Sequence, residues 1–76
     1  MDSLVMWTIF DHPRDFPRHV VVRAQIIVPG DVLPGRFACL CETVEEAREV
    51  CMAQPDVSGW FDRDPTDDPC IVETWM

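Results

Sequence analysis

The sequence of 76 residues contains no lysine, and all six of its basic residues are arginines. It contains no apolar run of the roughly 18 residues that a membrane-spanning helix needs. Its first residues lack the positive charge and the cleavage site of a secretory signal, and both Met1 and Met6 are candidate starts. The apolar share of 47% is typical of a folded protein. We therefore expect a single domain over residues 1–76, located in the cytoplasm.

Sequence signatures of catalysis are also absent. Gly30, Gly35 and Gly59 are isolated turn glycines and do not form a phosphate-binding loop. Neither of the two serines lies in a nucleophile-elbow motif. His12 and His19 flank a proline-containing loop, and the polarity of such a loop accounts for both. The sequence predicts a protein that is not an enzyme and has no cofactor.

The four cysteines do not have the spacing of a metal site, because no Cys-x-x-Cys motif is present. Cys39 and Cys41 are expected to place their thiols on opposite faces of a strand, which is poor geometry for zinc. Cys39 and Cys51 are expected inside the fold as small apolar residues. Cys70 is expected nearer the surface, where oxidation could join two copies of the chain through a disulfide. The sequence thus predicts no metal, and either a monomer or a homodimer.

The charge is distributed unevenly along the chain. Residues 1–41 contain equal numbers of acids and bases, whereas residues 42–76 carry the whole net charge of −8. An acidic surface repels phosphates and therefore disfavours direct binding of nucleic acid. It favours attraction to a basic partner. The alternative is that the acids only keep a small domain soluble.

Alternating apolar residues predict strands, and one segment has the helical period. Residues 30–35 are expected to be a connecting turn. The last strand is expected to pair with the first or the second. The predicted fold class is α+β: an antiparallel sheet of four to five strands with one helix packed across one face, in the order β-β-β-α-β-β. The strands are Leu4–Phe10, His19–Val28, Arg36–Glu42, Trp60–Arg63 and Cys70–Met76, and the helix runs from Val44 to Ala53 or Gln54. The alternative for Trp60–Arg63 is an extended segment that leads into the acidic turn.

The helix should begin with a capping box, in which the Thr43 hydroxyl accepts from the Glu46 amide and the Glu46 carboxylate accepts from the Thr43 amide. Its apolar residues recur with the helical period and form a buried stripe. The charged residues of the helix are expected to point to solvent. The buried stripe is Val44, Ala47, Val50 and Cys51, and the solvent-facing set is Glu45, Glu46, Arg48 and Glu49.

The most acidic stretch is Trp60–Trp75, which holds five acids and a single base, Arg63. Together with the outer face of the helix it could present six or seven negative charges on one side of the domain. The acids of this set are expected to contact a basic partner, with an aromatic residue as an apolar anchor. The predicted contact residues are Glu45, Glu49, Asp62, Asp64, Asp67 and Asp68, with Trp60 as the anchor.

Four segments together resemble a family of small proteins of proteobacteria and their phages: Trp7–Pro17, Val22–Arg23, Thr43–Arg48 and Asp67–Trp75. Within that setting the chain is similar to phage anti-CRISPR proteins, with type I-C systems as the candidate target. The resemblance implies an inhibitor that binds the RNA-guided surveillance complex (Cascade) and keeps target DNA out of its basic channel. The alternative is an accessory module that binds another basic host or phage protein.

Overall fold

The computed structural model describes residues 4–55, 57–62 and 69–76, with Arg36 described through its backbone only. Five strands form one antiparallel sheet in the order β3-β2-β1-β5-β4, and one helix packs on it. The predicted α+β class and element order are confirmed. The elements are β1 Leu4–Asp11, β2 Val20–Val28, β3 Asp31–Cys41, α1 Val44–Met52, β4 Trp60–Asp62 and β5 Ile71–Trp75.

The core lies between α1 and one face of the sheet, because the alternation along β2 places Val20 and Val22 on that face. Both valines are almost fully buried, as are Ala47 and Cys51 of α1. Trp75 of β5 closes the core at its edge. The buried stripe of the helix is therefore confirmed, with Val44 and Val50 packed at its margins.

β3 begins at Asp31, so the prediction of a turn over residues 30–35 is wrong. The turn consists of Pro29 and Gly30 alone, with Gly30 at φ +82, a backbone conformation that suits glycine. Pro34 pairs with Gln25 inside the strand. An edge strand tolerates proline because the missing N–H can lie on the unpaired side.

Thr43 is the N-cap of α1, and its hydroxyl accepts a hydrogen bond of 3.1 Å from the amide of Glu46. This half of the capping box is confirmed. The returning bond differs by one residue, since the Glu46 carboxylate accepts from the amide of Glu42 at 3.2 Å. Two acids in the first turn also suit the positive end of the helix dipole. No described helix approaches the length that spanning a membrane requires.

β5 lies between β1 and β4, so of the two predicted partners the first strand is the correct one. Trp75 is opposite Trp7 of β1 on one side and opposite Trp60 of β4 on the other. An irregularity between Ile9 and Phe10 shifts the register with β5. This pairing holds the β4 strand against the rest of the sheet.

The face of the sheet away from α1, here called the open face, is partly covered by the loop of residues 12–19. Arg23 forms an ion pair with Asp15 of this loop, and its guanidinium lies 5.5 Å from the ring centre of Phe10 and 5.9 Å from that of Phe16. The hydrogen bond from Arg23 lowers the pKa of Asp15. His12, at φ 51, starts the loop, and its amide donates to the carbonyl of His19. Arg23 thus anchors the loop to the sheet.

Candidate functional site

A buried carboxylate, Glu73 of β5, connects α1 to the sheet. Glu73 is 3% exposed and accepts hydrogen bonds from Arg48 Nε at 2.8 Å and Nη2 at 3.3 Å. The indole Nε1 of Trp75 donates to the same carboxylate at 3.0 Å. The prediction that Arg48 simply points to solvent is therefore wrong. Its charge is used inside the protein to pair a buried acid.

The Arg48–Glu73 pair is flanked by exposed acids on the same side of the sheet. The hydrogen bond with Glu73, then the charge of Glu73 and to a smaller extent that of Glu45, raise the pKa of Arg48. Asp62 of β4 lies directly opposite Glu73 in the ladder, and directly opposite residues share a face of the sheet. The exposed acids on this side, here called the acidic surface, are Glu42, Glu45, Glu46, Glu49 and Asp62.

No ion pair between described residues uses a carboxylate of the acidic surface. Arg23 pairs with Asp15 on the open face, and the loop that carries Arg14 and Arg18 is anchored on that face. Arg48 is occupied by Glu73. Within the described ranges, the carboxylates of the acidic surface therefore have no basic side chain paired with them.

Exposed apolar side chains lie next to the acidic surface. Trp60 of β4 is 52% exposed on this side, and Met52 at the end of α1 is 58% exposed. Phe61 is 59% exposed but points to the opposite, open face, because neighbouring residues of a strand alternate between faces. The ring of Trp60 lies 6.3 Å from that of Trp75, centre to centre, at an angle of 34°. Trp60 thus rests on the edge of the core and leaves about half of its surface to solvent, a combination that suits an interface anchor.

The predicted contact residues divide into two groups. Glu45, Glu49 and Asp62 are exposed on the α1 side of the sheet, and Trp60 is exposed beside them. The other three, Asp64, Asp67 and Asp68, lie outside the described residues.

Cys41 and Cys51 belong to the core between α1 and the sheet, and Cys39 packs against it. The expectation that the thiols of Cys39 and Cys41 lie on opposite faces is wrong. Cys39 and Cys41 lie two residues apart on one strand and therefore share a face, with their Sγ atoms 4.0 Å apart. Burial and the neighbouring Cys39 raise the pKa of Cys41 to about 11, and burial followed by the charge of Glu73 raises the pKa of Cys51 to about 12. Such thiols remain protonated at neutral pH and react slowly. No group of three ligands that could hold a metal ion occurs among the described residues.

Cys70 is half-buried and lines a cavity of about 280 Å³ with residues of the loop and with Arg23. Its carbonyl accepts a hydrogen bond of 2.7 Å from the amide of Asp11. A disulfide between two copies through Cys70 stays a prediction. A second cavity of about 240 Å³ shares Phe10 and Arg23 with the first. Both lie beside the Arg23 side chain that anchors the loop.

Comparison with protein-family models, with curated proteins and with solved structures finds no match to this chain.

Proposed function

We propose that this protein is a non-catalytic, phage-encoded anti-CRISPR inhibitor. In this proposal the acidic surface binds a basic DNA-binding surface of a type I Cascade complex, with type I-C as the candidate subtype, and blocks the entry of target DNA. The observation that carries the proposal is the cluster of exposed carboxylates on α1 and β4 whose nearest described arginine, Arg48, is already paired with Glu73. The resemblance to anti-CRISPR proteins supplies the identity of the partner.

The spacing of the acids on α1 is compatible with substitution for phosphates. Glu45, Glu46 and Glu49 fall within about 6 Å of helix axis, because each residue adds about 1.5 Å. One strand of duplex DNA presents a phosphate about every 3.4 Å of axis. The helix thus offers negative charge at a density close to that of a single DNA strand. A groove that binds phosphates through Arg and Lys would attract it, and salt would weaken that attraction.

The direct test is capture of purified type I-C Cascade by the immobilised protein, with and without target DNA. We expect the wild-type protein to retain Cascade and to compete with DNA. The variant Glu45→Lys/Glu49→Lys/Asp62→Lys reverses three exposed charges and should lose both effects. Its fold should persist, which circular dichroism would check, because none of the three side chains is buried.

A matched control reverses the charge of one exposed acid that lies outside the acidic surface. Asp31 is exposed at the turn between β2 and β3, whereas Asp62 belongs to the acidic surface. Asp62→Lys should weaken capture of Cascade more than Asp31→Lys, although each changes the net charge equally. Equal weakening by both variants would mean that only net charge matters, and retention of full binding by the triple variant would refute the acidic surface as the contact.

The alternative is a non-enzymatic accessory module that binds another basic host or phage protein. The exposed Trp60, Phe61 and Met52 support it, because a mimic of DNA needs carboxylates but not large apolar side chains. Capture from a host lysate, followed by identification of the retained proteins, separates the two. Retention of a basic protein that is not a Cas subunit, lost with the triple charge reversal, would favour the alternative.

A further inference from the structure

The outer edge of β4 is an unpaired strand edge within the described part of the chain, since the sheet order ends with β4 and its one strand neighbour is β5. Gly59 and Met76 exchange both of their backbone hydrogen bonds, each of 3.1 Å. In an antiparallel ladder such pairs alternate with pairs that do not bond each other. Trp60 and Trp75 are therefore a pair that does not bond each other, and so are Asp62 and Glu73. The backbone N–H and C=O groups of Trp60 and Asp62 accordingly point away from β5.

Trp60 and Asp62 also direct their side chains to the side of the sheet that carries the acidic surface. Trp60 shares a face with Trp75 of the core, and Asp62 shares it with Glu73. Phe61 lies between them and points to the open face. The edge thus combines two outward backbone donors, two outward acceptors, an exposed indole ring and an exposed carboxylate.

We propose that the edge of β4 binds an extended, basic segment of a partner protein as an additional antiparallel strand. The segment carries Arg or Lys at alternate positions. One basic side chain would lie over the Trp60 ring and the next beside Asp62, with Glu45 and Glu49 contributing to the attraction. The inference deepens the proposed function and rests on it for the basic character of the partner.

Charge complementarity and the two-residue period of a strand indicate which kind of segment binds the edge of β4. Partner residues opposite Trp60 and Asp62 would be two apart and would share the face of the acidic surface. A cation over an indole is favourable, and so is a guanidinium beside a carboxylate. A strand with acids at those positions would be repelled by Asp62 and by Glu45. Strand addition supplies the remaining affinity through backbone hydrogen bonds.

The test uses synthetic ten-residue peptides in which Arg and Thr alternate, with both ends blocked, and measures binding to the wild-type protein by calorimetry at low salt. In the proposed geometry the amides of the Arg residues face β4. N-methylation of those amides removes the bonds, whereas N-methylation of the Thr amides affects only the outer side. We expect the first peptide to bind at least about tenfold more weakly than the unmodified one. The second should bind almost as well.

The side-chain contribution is tested with a pair of aromatic substitutions. Trp60→Ala removes the ring on the acidic side, and Phe61→Ala removes a ring of similar exposure from the opposite face. We expect Trp60→Ala to weaken peptide binding about tenfold and Phe61→Ala to leave it nearly unchanged. Asp62→Asn should weaken binding more than Asp31→Asn. A peptide with five consecutive Arg followed by five Thr controls for charge alone and should bind more weakly than the alternating peptide.

The outcomes separate this inference from the proposed function. Equal affinity of the two N-methylated peptides, or full affinity of the Trp60→Ala variant, would show that only general charge attraction operates, and the strand edge would be rejected. Capture of Cascade that is lost with Glu45→Lys/Glu49→Lys but unaffected by Trp60→Ala would keep the inhibitor and reject the edge. Alternating-peptide binding of the expected pattern, in a protein that does not retain Cascade, would keep the edge and reject the inhibitor.

Discussion

At the scale of single residues, the burial of Glu73 can be deduced from the sequence, whereas its partner cannot. In the sequence it is one of five acids in the stretch Trp60–Trp75, and nothing in composition separates it from its exposed neighbours. The strand period does separate it, because Glu73 and Trp75 are two apart and share a face. Since Trp75 belongs to the core, Glu73 must lie inward as well. Its partner Arg48 could not be deduced, because that pairing depends on how α1 crosses the sheet.

Substitution of Glu73 should lower the free energy of unfolding by an amount that depends on whether the new side chain keeps a hydrogen-bond acceptor. Glu73→Ala leaves the indole N–H of Trp75 without its acceptor in a buried position, which costs about 1–3 kcal/mol. Glu73→Gln keeps an oxygen for that donor and should cost less. Urea unfolding followed by tryptophan fluorescence measures both. Glu49→Ala, at an exposed position, is the control and should change stability by less than about 0.5 kcal/mol.

At the scale of elements, the residue pattern predicted the five strands and the helix that the structure describes, with errors at element boundaries and at one turn. β3 is the instructive case. Pro34 and Gly35 resemble turn residues, but the structure uses the first on an unpaired edge and the second beside a shift of register between Arg23 and Gln25. Both uses depend on the position of β3 at the edge of the sheet. The sequence of an isolated strand does not contain that information.

Gly35 should tolerate no side chain, because a Cβ built there would lie 2.8 Å from the backbone oxygen of Ala24. Gly35→Ala forces β2 and β3 apart and should cost about 1–3 kcal/mol. Gly59→Ala is the matched control, since a Cβ at Gly59 meets no atom within 4 Å. Thermal unfolding measures the difference. A Gly35→Ala variant as stable as Gly59→Ala would contradict the close approach of the two strands.

At the scale of the whole molecule, the sequence predicted the acidic second half and suggested that its charges share one side of the domain, but the separation of charge in space could not be derived from it. That separation arises because the strand period directs Arg23 to the open face, where the loop with Arg14 and Arg18 is attached. α1 packs on the other face and brings its glutamates there. The neutral first half and the acidic second half of the chain thus give the sheet two chemically different sides. The contact residues on α1 and β4 were predictable from charge and helical period, but their common side required the sheet order.

The absence of both lysine and tyrosine makes the alkaline pH range informative. The pKa of Cys41 is raised to about 11 and that of Cys51 to about 12, from an ordinary value of 9.0. Between pH 9 and 11 the unfolded chain therefore binds fewer protons than the folded protein, so the free energy of unfolding should fall as pH rises. The slope is at most about 1.4 kcal/mol per pH unit for each thiol. Cys51→Ala should flatten this fall.

Denaturant unfolding at a series of pH values, in the presence of a reductant, measures this effect. The comparison between wild type and Cys51→Ala concerns the slope with pH and not the absolute stability, which the loss of a buried side chain also lowers. Parallel slopes for the two proteins would mean that Cys51 does not titrate differently in the folded and unfolded states.

The pairing of β1 with β5 has a consequence for how the protein reaches its native state. Trp7 and Trp75 are neighbours in the sheet although they lie 68 positions apart in the chain. Contacts of such long range slow the search for the native topology, and domains dominated by them fold in about milliseconds to seconds. Until β5 docks, β1 has a bare edge that can pair with another chain. Refolding should therefore compete with aggregation, and aggregation should gain as the protein concentration rises. The rate at which β5 docks on β1 sets the balance between the two.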